Sequence, residues 1–97
     1  CFLSTRPNEQ IYNQCSEDSK VLYVGSLAGL LPGGPGHSHQ SVRDISALAA
    51  VPNLVLAEPA TEREVELLVE TLLHGQPGSG YLRLVSVKWP VPSLTNR

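Results

Sequence analysis

Two histidines flanking one serine, His37-Ser38-His39, close a loop that carries five glycines and two prolines between Gly25 and Gly36. An imidazole can donate or accept one hydrogen bond and can carry a proton near neutral pH. His39, with His37 further out on the loop, is therefore a candidate contact to a polar substrate, as hydrogen-bond donor or proton-transfer group. The alternative is a pair of loop histidines satisfied by backbone carbonyls. No metal site is expected: the third histidine, His74, lies at the far end of a predicted helix, and no carboxylate completes a ligand spacing nearby. The run Gly29-Leu30-Leu31-Pro32-Gly33-Gly34-Pro35-Gly36 lacks both the Gly-Lys-Ser/Thr ending and the GxGxxG spacing that bring backbone N–H groups onto phosphate. Ser38 lacks the Gly-x-Ser-x-Gly frame of a hydrolase nucleophile.

Arg83 stands inside an apolar run, Tyr81 to Val87, where a charge needs a partner. It either pairs with Glu58 at the end of a neighbouring strand or meets a ligand. Glu62, Arg63, Glu64 and Glu66 read as a solvated helix face with capping roles, and Trp89 as an interface or core aromatic.

The elements that must position these groups follow from the pattern. Residues 2–14 predict a helix entered through Ser4-Thr5, with Pro7 in its first turn. Lys20 to Val24 predicts a buried strand feeding the glycine loop. Val42, Ile45, Leu48 and Ala49 predict one apolar face of a helix over 41–50, with Ser41 and Asp44 as an imperfect capping box, and His39 at or just before its first turn. Leu54-Val55-Leu56 predicts a second strand. Thr61-Glu62-Arg63-Glu64 is a full capping box ahead of Val65, Leu68, Val69, Leu72 and Leu73, a helix over 61–74 stopped by Gly75. A loop over 76–80 and a strand over 81–87 follow. Trp89 to Pro92 leaves the sheet, and 93–97 is a polar tail. Helix and strand alternate, which predicts an α/β fold with a mainly parallel, partial doubly wound sheet in three α/β/α layers. Three strands are few for a free-standing domain of that kind, so a small flavodoxin-like binding domain fits less well, and the chain is expected to be a fragment.

Ninety-seven residues with 41% hydrophobic and 16% charged residues suit one globular domain, here 1–92 with the tail beyond it. A net charge of −2, with seven Lys and Arg spread along the chain, offers neither a nucleic-acid stripe nor a polybasic membrane patch. Cys1 and Cys15 lack metal spacing and are expected as free thiols in a reducing cytoplasm.

The run GPGHSHQSVRDISALAAVPNLVLAEPATEREVELLVETLL resembles the pyrimidine-binding domain of transketolase-type thiamine diphosphate enzymes, and FLSTRPNEQI is similar to the helix that precedes it there. The resemblance covers residues 2 to about 87. It implies a transferase whose thiamine diphosphate lies at a dimer interface, between the pyrimidine domain of one subunit and the diphosphate domain of the other, with a divalent metal held by the latter. His39 matches the family histidine that faces the substrate's hydroxyl and carbonyl groups, and Phe2 the first aromatic around the aminopyrimidine ring. The expected partners are a second copy or a complementary subunit carrying the diphosphate domain, and a ketose or 2-oxo-acid substrate. The family's catalytic glutamate and its diphosphate-binding domain lie outside these residues, so the chain by itself is expected to be inactive. The competing expectation is a degenerate module that keeps the fold and dimerises without cofactor.

Overall fold

The computed structural model describes residues 1–34 and 36–88. The expected exit at Trp89 to Pro92 and the polar tail lie outside the described residues. Three strands, β1 (Leu22–Gly25), β2 (Leu54–Ala57) and β3 (Ser79–Arg83), form one sheet in the order β1-β3-β2. Both pairings are parallel, with Tyr81 opposite Tyr23 on one side and Leu56 on the other. The fold is α/β with a three-stranded parallel sheet, as the alternation of elements predicts.

Residue alternation along the strands assigns the two faces of this sheet. Tyr23, Leu54, Leu56 and Tyr81 face the main core, where Tyr81 joins Ile11, Cys15, Leu48 and Val51 from the helices. On the opposite face Leu72 lies over Gly80, so close that a Cβ there would stand 2.9 Å from a Leu72 methyl. The absent side chain lets the last helical turn settle directly on the central strand. β3 begins two residues earlier than the apolar run suggests. Ser79 is buried because its hydroxyl accepts from Val21 N at 3.0 Å and donates to the Ser19 carbonyl at 2.6 Å, which satisfies a polar side chain inside the sheet.

The helices depart from the predicted spans in informative ways. The single helix expected over 2–14 is two, α1 (Phe2–Thr5) and α2 (Asn8–Ser16). Pro7 has no N–H to continue the ladder, and the Ser4 and Thr5 hydroxyls turn back to the Cys1 carbonyl at 2.9 and 3.0 Å instead of capping forward. The helix expected over 41–50 is only α3 (Asp44–Leu48). Ser41 is claimed by the loop, donating its N–H to the Leu27 carbonyl and accepting from Gly29 N, both at 2.9 Å. Its apolar face is misassigned too: Val42, Ile45 and Ala49 are exposed, whereas Ser41, Asp44, Leu48 and Val51 are buried.

The N-cap half of the Thr61 capping box forms as expected at the head of α4 (Glu62–Glu70). Glu64 N donates to Thr61 Oγ1 at 3.1 Å, whereas the Glu64 carboxylate accepts from Ala60 N, one residue before the N-cap, at 2.6 Å. The last turn, Thr71–Gly75, widens into a π turn as Thr71 Oγ1 donates to the Leu67 carbonyl. Among the described residues no helix is long and apolar enough to cross a membrane.

Candidate functional site

The glycine loop leaves β1 at Gly25 and is stitched at both ends to the continuation of β3. Leu84 N donates to the Gly25 carbonyl at 2.8 Å, and Ala28 N to the Leu84 carbonyl at 3.0 Å. Gly25 is required there. A Cβ would stand 2.7 Å from the Tyr81 hydroxyl oxygen, which is itself held in place. Within the loop, Gly36 takes φ +74, a left-handed value that side chains resist, and its carbonyl accepts from both His39 N and Gln40 N. The Gln40 side-chain amide donates to the carbonyls of Leu30 and Pro32, closing the loop on itself.

His39 lies at the top of this turn, exposed to solvent, with Nδ1 3.0 Å from Ser38 Oγ. Its ring meets that of Phe2 edge to face, with centroids 5.1 Å apart and planes at 73°, a favoured aromatic geometry. Phe2 comes from α1 and is 41% exposed, and the Arg6 guanidinium carbon lies 4.4 Å from its ring centroid. Thus two residues singled out in the sequence, 37 positions apart, share one surface. His37 is exposed and makes no side-chain hydrogen bond among the described residues. His39 is not at a helix start: four residues separate it from Asp44, the first of α3.

Beneath the loop lies a cluster of which the sequence analysis anticipates only the Arg83–Glu58 pair. Asp44 is 1% exposed, and its Oδ2 accepts from the Tyr81 hydroxyl at 2.7 Å and from Arg83 Nε at 2.8 Å. The same guanidinium donates through Nη1 to Glu58 Oε1 at 2.7 Å, the pairing anticipated from the sequence, and through Nη2 to the Ser41 carbonyl at 3.2 Å. Burial pushes the Asp44 carboxyl up, but the hydrogen bonds from Tyr81 and Arg83 and the guanidinium charge outweigh it and hold the group below its usual value. Burial and the neighbouring carboxylate raise the Tyr81 phenol well above its usual range. Arg83 is held more basic than usual, because Asp44 and Glu58 together overcome its desolvation. The expected Ser41–Asp44 capping box does not form; Ser41 Oγ and Asp44 Oδ1 are buried without a hydrogen-bond partner among the described residues. Two signals pointed here: an arginine inside a strand, and the spacing of Ser41, Asp44, Leu48 and Val51 by three, four and three, a buried helix face with an acid on it.

Among the described residues no group of three or more His, Cys, Asp or Glu side chains is gathered as a metal site would require. What the surface offers is an exposed aromatic ring beside an imidazole, at the C-terminal edge of a parallel sheet where such folds hold ligands.

A parallel α/β sheet with a structured loop at the end of its first strand is common to many families, and sequence comparison narrows the choice. The family model described as the transketolase pyrimidine binding domain matches residues 1–86, and the chain belongs to that family. It is similar to the 1-deoxy-D-xylulose-5-phosphate synthase of Natranaerobius thermophilus, 32% identical over 73 residues, covering 75% of this chain and 11% of that protein. The corresponding synthase of Geobacillus thermodenitrificans is 36% identical over 77 residues, covering 79% and 12%. That of Halothermothrix orenii is 27% identical over 90 residues, covering 92% and 13%. The chain thus spans between 11% and 13% of the length of these relatives. No solved structure matches it.

Proposed function

We propose that this chain is part of a thiamine diphosphate-dependent transferase of the 1-deoxy-D-xylulose-5-phosphate synthase type. It supplies the pyrimidine-binding side of a cofactor cleft that a diphosphate-binding domain completes, in a second copy or a complementary subunit, and by itself it is not catalytic. The domain runs from residue 1 to 92, with 93–97 as a tail. The observation that carries the reading is the meeting of Phe2 and His39 rings at 5.1 Å, since these positions match the family's cofactor-pocket aromatic and substrate-facing histidine.

The residues fit the group. A ring 41% exposed, with a hydrogen-bonding imidazole at its edge, gives a flat aminopyrimidine an apolar surface with a polar neighbour. When bound, thiamine diphosphate supplies the nucleophilic carbon that attacks a substrate carbonyl. Phe2 packs beside the pyrimidine and excludes water from it. His39 donates a hydrogen bond to the oxygen on which charge develops at that carbonyl, and His37 contacts the substrate further out. An aligned donor of this kind is worth about 2.7–4 kcal/mol in the transition state and little in the ground state.

The test is calorimetric titration of thiamine diphosphate and a divalent metal into this chain assembled with a diphosphate-binding domain, with Phe2→Ala alongside. Binding that weakens in Phe2→Ala is the expected result. An assembly that forms but takes up no cofactor would instead favour a dimerisation module that has kept the fold.

A further inference from the structure

The position of His39 depends on parts of the molecule that do not touch substrate. Only Gln40 separates it from Ser41, and Gln40 is fixed through its backbone N–H to Gly36 and its side-chain amide to Leu30 and Pro32. Few free torsions therefore lie between Ser41 and the imidazole. Phe2 reaches the same place by another route, on α1, while the Asn8 side chain ties the start of α2 to the Ala47 carbonyl of α3. Where the two rings meet is set by how the end of the loop sits against the head of α3.

One side chain grips both. Arg83 holds the Ser41 carbonyl with Nη2 and the Asp44 carboxylate with Nε, while Nη1 is occupied by Glu58. Asp44 is oriented by the Tyr81 hydroxyl from the middle of the sheet. A cluster serving stability alone gains by pairing every buried polar atom, yet among the described residues Asp44 Oδ1 and Ser41 Oγ lie within hydrogen-bond geometry of no partner. What the arrangement does satisfy is the three-way reach of Arg83 between loop, helix and sheet.

We propose that Asp44 and Arg83 are positioning residues for His39: the carboxylate fixes the guanidinium, the guanidinium pins the Ser41 carbonyl, and the pinned loop end presents the imidazole to Phe2. The assignment rests on the proposed function only in taking His39 as the group that must be presented.

The test is nuclear Overhauser contact between the ring protons of His39 and Phe2 in the full chain. Arg83→Lys keeps the charge but cannot hold Asp44, Glu58 and the Ser41 carbonyl at once. It should lose the His39–Phe2 contact while keeping those among Ile11, Leu48 and Tyr81. Asp44→Asn should lose it as well. Tyr81→Phe, which removes one bond to Asp44 and leaves the grip of Arg83 intact, should lower stability and keep the contact. Retention of the contact in a folded Arg83→Lys or Asp44→Asn protein overturns the proposal, as does equal loss in Tyr81→Phe. Failure of both Arg83→Lys and Asp44→Asn to fold also overturns it, because the cluster then serves folding only. The readout is geometric: if cofactor titration fails while Arg83→Lys still loses the ring contact, the proposed function falls and the positioning role stands.

Discussion

Replacing Asp44 by alanine should be among the most damaging single changes in the chain. The substitution removes a 1% exposed carboxylate and leaves two donors behind. The Tyr81 hydroxyl, on a side chain 2% exposed, loses its acceptor. The Arg83 guanidinium keeps Glu58 and the Ser41 carbonyl but loses its most buried contact. Breaking a buried pair by removing one partner costs roughly 3–5 kcal/mol. Because Glu58 still neutralises Arg83, the lower end applies, about 3 kcal/mol. In a domain of this size each kcal/mol moves the melting temperature by about 4–8 °C, so a fall of roughly 12–24 °C is expected. Urea unfolding followed by circular dichroism measures the free-energy loss, thermal unfolding the fall in melting temperature, and pH supplies the sign. The Asp44 carboxyl is held below its ordinary value of 3.8 in the folded chain. Its contribution is therefore fully present above that value and is lost as pH falls through the lower folded value. The gap between the native chain and Asp44→Ala should be constant near neutrality and should narrow on acidification below 3.8. A loss under about 1 kcal/mol at neutral pH, or a gap that widens in acid, would refute the account of the cluster.

In the assembly proposed above, His39→Ala should lower turnover roughly a hundredfold with thiamine diphosphate affinity nearly unchanged, whereas His37→Ala should do much less; steady-state kinetics with cofactor titration separates them. Gly25→Ala places a Cβ 2.7 Å from the Tyr81 hydroxyl oxygen, which its bond to Asp44 keeps from retreating, at a cost of about 1–3 kcal/mol. Gly33→Ala, with nothing within 4 Å, should lie within about 0.5 kcal/mol of the native chain in the same urea titration. The isolated chain should self-associate, since Val24 and Val55 lie half exposed on the two outer strands of the sheet. Sedimentation that finds a compact monomer at high concentration would count against this.

Features specified within a few residues were legible in the sequence. The Thr61–Glu64 box, the alternation of helix and strand, and the parallel sheet that this alternation imposes all come from local hydrogen-bonding preferences and apolar periodicity. So did the need for Arg83 to find a carboxylate, because a charge in a strand must be paired wherever the strand lies. The misplaced helix face shows where such reading stops. Val42 and Ile45 obey the helical period, yet Asp44 takes the buried position, because the energy of a carboxylate depends on the tyrosine and arginine that reach it from a strand 37 and 39 residues away. The meeting of Phe2 with His39 is of the same kind. A loop anchored at Ser41 and a helix broken at Pro7 converge only once the sheet has formed, and no local preference of either segment records the distance between two rings on different elements.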